Sequence, residues 1–161
     1  MIERLFVWLQ HNWLIVALNS SVVSASILEV VHYFSIFMAV GATVFVDLRL
    51  LGLAARRQPA TQVNAQLFPW VWIGFSLAVL SGFLMFAADA TEYLHNSVFH
   101  RKVEVVFLAA VLAAVVQVNV AKWDRPPAIA GRAKFWAVVS LLVWVWAILM
   151  GVNVPALTGV G

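Results

Sequence analysis

Apolar positions gather in four long stretches, from about Ile27 to Val46, Pro69 to Ala88, Val103 to Val120 and Phe135 to Val154. Each is nearly free of charge and close to the ~20 residues that cross a bilayer's hydrocarbon. Backbone groups find no partner in lipid, so a spanning segment is a helix or part of a closed barrel, and none of these four alternates with the period of two that a barrel strand needs. Four membrane helices follow. The links between them are short, which forces antiparallel neighbours, so the expected fold is an all-α membrane protein, an up-down four-transmembrane-helix bundle covering residues 21–161. Residues 1–20 read differently. Met1 to Leu18 is apolar but interrupted by Gln10, His11 and Asn12; Glu3 with Gln10 and Arg4 with His11 recur at seven residues, while Leu5, Trp8, Leu9 and Trp13 take the other side. That pattern predicts an N-terminal amphipathic helix lying in the outer interface, with a cleaved signal peptide as the competing reading.

Composition narrows the class. Of 161 residues, 64% are hydrophobic and only 11% charged, against about half and a quarter in soluble domains. Disorder and an ordinary soluble fold are excluded together. The net charge of +3 comes from basic residues scattered between apolar segments, which make no continuous face for a nucleic acid. It reads instead as topology. The first and third loops carry Arg49, Arg56, Arg57, Lys122, Arg125, Arg132 and Lys134, while the opposite side has only Arg4, Arg101 and Lys102, which puts both termini outside. In a bacterium this means the inner membrane, N-out and C-out, with residues 1–20 periplasmic. Trp70, Trp72, Trp123 and Trp136 fall where a belt of rings at the inner headgroups is expected. With no cysteine there is no disulfide, thiolate site or iron–sulfur cluster, so any cofactor must use His, carboxylate or Met.

The run Val46-Asp47-Leu48-Arg49-Leu50-Leu51-Gly52-Leu53-Ala54, preceded by Glu29-Val30-Val31-His32 and followed by Pro69-Trp70-Val71-Trp72-Ile73-Gly74-Phe75, resembles an uncharacterised family of small bacterial four-helix inner-membrane proteins, a domain of unknown function. The likeness extends from about Ile27 to Asn119. It implies topology and location, and brings no established activity. Where members end the third span with an Asn followed by a His, this chain has Asn119 and then Lys122.

Ionisable groups inside a span are expensive, so each is a functional candidate. Glu29 and His32, three apart, share a face of the first helix, and His100 and Glu104, four apart, share one of the third. The first reading is a haem b near the outer face, held by His32 with His100 or His95 as the other axial ligand. Glu29 would fix the His32 tautomer, and Arg101, Lys102 and Arg4 would meet the propionates. Along straight helices His32 and His100 differ by roughly 10 Å in depth, which tilt or a single-ligand haem would have to resolve. The second is one Cu, Zn or Fe ion at Glu29, His32, His100 and Glu104, since Glu-x-x-His is half of a di-iron bundle motif. A cofactor-free accessory subunit of a larger membrane complex is the third, with these groups merely snorkelling or neutralised at the interface. If the chain is an enzyme it is an oxidoreductase, passing electrons between membrane quinol and an outer acceptor or redox partner subunit. Asp47 with Arg49 is expected to anchor the inner face by pairing with the basic third loop, and Asn153 beside Pro155 to cap the fourth helix. Small residues at helical spacing, Gly74, Ala78 and Gly82, Ala109 with Ala113, Ala110 with Ala114, and Ala147 with Gly151, suit close helix approach and a homo-oligomer.

Overall fold

The computed structural model describes residues 2–124 and 131–158, with side chains for 3–124 and 131–151. Arg125 therefore lies outside the described residues. So do the side chains of Asn153 and Pro155. Seven helices follow in order: α1 (Ile2–Gln10), α2 (Trp13–Asn19), α3 (Val22–Leu50), α4 (Ala60–Ala88), α5 (Ala90–Leu94), α6 (Ser97–Trp123) and α7 (Gly131–Thr158). Among the described residues there is no strand. Helices α3, α4, α6 and α7 are each long and apolar enough to cross a membrane, as a four-helix membrane bundle requires.

These helices overrun the apolar stretches that announce them, because the backbone goes on satisfying itself past the hydrocarbon edge. Helix α4 starts at Ala60, so Pro69 is inside it rather than at its start, and α7 continues to Thr158, past Asn153. Helix α3 stops for a local reason. Gly52 takes a φ of +76°, its N–H donates to the Arg49 carbonyl, and the Leu53 N–H donates to the Leu48 carbonyl. This is the Schellman arrangement, in which a left-handed residue folds the chain back over the last carbonyls. The Arg-Leu-Leu-Gly-Leu portion of the family-like run is thus a helix stop.

The chain divides into two compact units, Met1–Ala39 with Trp72–Ser97, and Val40–Val71 with Val98–Gly161. In the first, the expected single interfacial helix is two helices. Asn12 has extended backbone angles and its side chain accepts from the Leu14 N–H at 3.1 Å, so it begins α2 instead of continuing α1. The face expected to be polar and wet also has a packing role. The Gln10 amide donates to the Ala88 carbonyl at 3.1 Å and accepts from Thr91 Oγ1 at 3.0 Å, while Phe6 meets Phe86 edge-on at 5.8 Å. Leu5, Trp8 and Trp13 stay exposed, as an apolar surface for lipid must be.

Contact between α3 and α4 within this unit depends on one missing side chain. A Cβ at Gly74 would lie 2.7 Å from the Ala39 nitrogen and 2.8 Å from the Ser35 carbonyl oxygen, so the two backbones nearly touch. Close approach of this kind is how membrane helices associate when lipid is as apolar as any neighbour.

In the second unit all four long helices contribute to one core: Val46 and Leu50 from α3, Ala60 and Val63 from α4, Val116 and Val120 from α6, and Ala133 and Ala137 from α7. Asp124, just past α6, closes it at one end. Its Oδ2 accepts from the Thr61 N–H at 2.8 Å and from Thr61 Oγ1 at 2.9 Å, supplying from another helix the anion that the first turn of α4 favours.

Substitution should separate the two kinds of glycine. Gly74→Val meets backbone that cannot yield and should lower stability by about 1–3 kcal/mol, the usual cost of overpacking. Gly41→Ala meets nothing within 4 Å and should leave the unfolding temperature in detergent unchanged or slightly raised.

Candidate functional site

Helix α3 carries the two most informative polar side chains of the chain, one in each unit. His32 belongs to the first. It is half-buried, and its Nδ1 lies 3.0 Å from Oγ of Ser81 on α4, a residue only 3% exposed. The direction of this bond follows from what the hydroxyl already does. Ser81 donates its one proton to the Leu77 carbonyl at 2.6 Å, so towards His32 it accepts, and Nδ1 is the protonated nitrogen. In the neutral ring the lone pair is then on Nε2, the nitrogen that coordinates a metal when Nδ1–H is held by an acceptor.

Gly82 makes room for this ring. A Cβ there would stand 2.9 Å from His32 Cε1. The stripe Gly74, Ala78, Gly82 is therefore used inside the chain, at one end for backbone contact and at the other for an imidazole. Ala109 and Ala113 are likewise buried within the second unit, at 0% and 2% exposure.

The other candidates stand apart from such support. Glu29, one turn before His32, is exposed, and so is His95, the residue that ends α5. In the second unit His100, Arg101 and Glu104 are all exposed on the first turns of α6. Lys102 is half-buried, with its Cε 3.9 Å from where a Cβ on Gly151 would stand. Among the described residues no three His, Asp or Glu side chains gather into a group that could hold a metal ion. The part foreseen for Glu29, orienting Nδ1, is played by the Ser81 hydroxyl. That partner is 49 positions away, and the only trace of it in the sequence is a serine beside a glycine in an otherwise apolar span.

Asp47 departs furthest from expectation. It does not anchor a surface: its exposure is 0%, and neither carboxyl oxygen has a hydrogen-bond partner among the described residues. Arg49 turns away, its Nε donating to the Gln58 carbonyl at 2.6 Å. Asn64, Gln117 and Thr43 are buried in the same unit, and the Asn64 Oδ1 and Ser140 Oγ are also without partners. An aspartate three residues from the end of an apolar helix, with Val46 before it and Leu48 after, was the available signal. Its proximity to Arg49 masked it.

Comparison with protein-family models, with curated proteins and with solved structures finds no match.

Ser81→Ala should remove the acceptor for His32 Nδ1–H. We expect a loss of about 1 kcal/mol in stability, together with a change from one fixed imidazole tautomer to a mixture in the ¹⁵N spectrum of histidine-labelled protein.

Proposed function

We propose that the chain is a haem b-binding electron-transfer protein of a bacterial inner membrane, with both termini periplasmic and His32 as an axial ligand near the periplasmic face. One observation carries this reading: His32 Nδ1–H donates to Ser81 Oγ, so the imidazole is held in one orientation with its lone pair on Nε2, the nitrogen that would ligate the iron. The donor set suits the group. Haem iron takes imidazole nitrogen, needs no cysteine, and when bound supplies one-electron chemistry at a potential set by its ligands and their hydrogen bonds.

What the protein's own residues do follows from their placement. Ser81 holds the tautomer and raises the basicity of Nε2, and Gly82 keeps the ring from being pushed off the α4 surface. His95, of the same unit, would supply a second imidazole. Arg4 would face acidic substituents at the periplasmic side, and Glu29, exposed one turn from His32, would add a carboxylate to the approach. Electrons would pass from membrane quinol to an outer acceptor or partner subunit, in a homo-oligomer. A single Cu, Zn or Fe ion at Glu29, His32, His100 and Glu104 has no comparable supporting contact.

Protein purified in mild detergent after expression with ample iron and haem precursor should show a Soret band and reduced α/β bands. His32→Ala should abolish them while leaving the helical circular dichroism intact. Ser81→Ala should retain the haem and shift its midpoint potential. A folded, colourless wild-type protein would sink the reading in favour of an ion-binding subunit if elemental analysis finds stoichiometric metal, and of a cofactor-free accessory subunit if it does not.

A further inference from the structure

Exposed positive charge in the second unit gathers at one end. The core cluster shows where that end lies: Leu50 at the end of α3, Ala60 at the start of α4, Val120 near the end of α6 and Ala133 near the start of α7 pack together. Arg56 and Arg57 stand in the link between Leu50 and Ala60, Lys122 two residues beyond Val120, and Arg132 and Lys134 on either side of Ala133, and all five are exposed. Acidic side chains do not balance them. Asp124 is held by Thr61, Asp47 is fully buried, and Glu104 is about 27 Å from Lys122 along α6. Among the described residues no ion pair or hydrogen bond engages the side chain of any of the five.

The backbone that presents the arginine pair is held in an uncommon shape. Ala55 takes a φ of +45°, a left-handed conformation that a residue with a Cβ rarely adopts. Its surroundings impose it: Ala55 packs against the core cluster, its carbonyl accepts from the Gln58 N–H at 3.0 Å, and the Gln58 carbonyl accepts from Arg49 Nε at 2.6 Å. Two adjacent arginines are thereby set at the exposed edge of the core. Next to the cations the same helices expose apolar side chains: Phe135 follows Lys134, Val118 lies one turn before Lys122, and Phe45 one turn before Arg49. Trp123 and Trp136, half-buried against the cluster, put indole rings at this boundary.

We propose that this end of the second unit binds the headgroups of anionic phospholipids from the leaflet around it, with Arg56, Arg57, Lys122, Arg132 and Lys134 as the cations that meet the phosphates. Chemistry selects the occupant. A guanidinium offers a phosphate two parallel N–H donors, and an ammonium a compact charge. The ligand also has to cover the apolar helix surface that begins within a turn of those charges, so it carries acyl chains and a phosphate in one molecule. Free phosphate has no chains, and a soluble acidic protein would leave the apolar surface uncovered. A zwitterionic lipid brings its own cation to the same place, so net negative charge is required, and several cations in one headgroup layer act on it together. None of these residues belongs to the His32 site, and the match of charge and apolar surface is the same on either face of the membrane.

The test is native mass spectrometry of the full chain released from mixed micelles that hold equal amounts of phosphatidylglycerol and phosphatidylcholine. Phosphatidylglycerol adducts should outnumber phosphatidylcholine adducts at least fivefold, and the ratio should fall as ammonium acetate is raised. Replacing all five cations by Gln should bring it to about one. Arg56→Gln combined with Arg57→Gln should lower it at least twofold, which keeps the test decisive if the full set of substitutions prevents folding. Equal adducts of the two lipids on the wild-type protein overturn the proposal. So does a preference unchanged in the double variant, or displacement of bound phosphatidylglycerol by millimolar inorganic phosphate or by polyglutamate, which would assign the surface to a free anion or to a soluble acidic partner.

Discussion

A polar group carried into an apolar interior has to be matched there, because neither hydrocarbon nor a packed core will match it. This constraint shapes the chain at every scale. It makes the spans helical, since only a helix satisfies its backbone within one segment. It directs Gln10 onto the Ala88 carbonyl and Asp124 onto the first turn of α4, where unpaired backbone groups would otherwise be left. Ser35 and Asn119 answer it more simply, each bonding a carbonyl one turn back on its own helix.

The same constraint sets His32 apart from Asp47. His32 meets it through a neighbour: Ser81 Oγ accepts from Nδ1–H, and the result is both a tie between α3 and α4 and an imidazole held in one tautomer. Fixing a tautomer is a structural act with a chemical consequence. Asp47 is instead fully buried, with neither carboxyl oxygen hydrogen-bonded among the described residues.

Packing without a hydrophobic gradient explains where the small residues sit. In water a helix turns its apolar face inward and the pattern reveals the face; in lipid both faces are apolar, and contact is decided by shape. Gly74 is where the backbones of α3 and α4 meet, and Gly82 is where a ring rather than a backbone fills the space.

Spans and helix type were legible in residue order alone, because each depends on a one-dimensional property, the length of an apolar run and the lack of a lipid partner for the backbone; the stop of α3 at Gly52, beyond the expected end at Val46, was not. The break between α1 and α2 was half legible, since Gln10, His11 and Asn12 marked the place but not the cap that Asn12 makes. His32 stands out in the sequence by its cost inside a span, and its partner Ser81 does not, because Ser81 is brought to it only by the packing of α4. Asp47 was misread for the same reason. Spacing tells which residues share a face of a helix; whether that face meets lipid, headgroups or three other helices is settled by tertiary contacts, and along a helix apolar all round no periodicity records the choice.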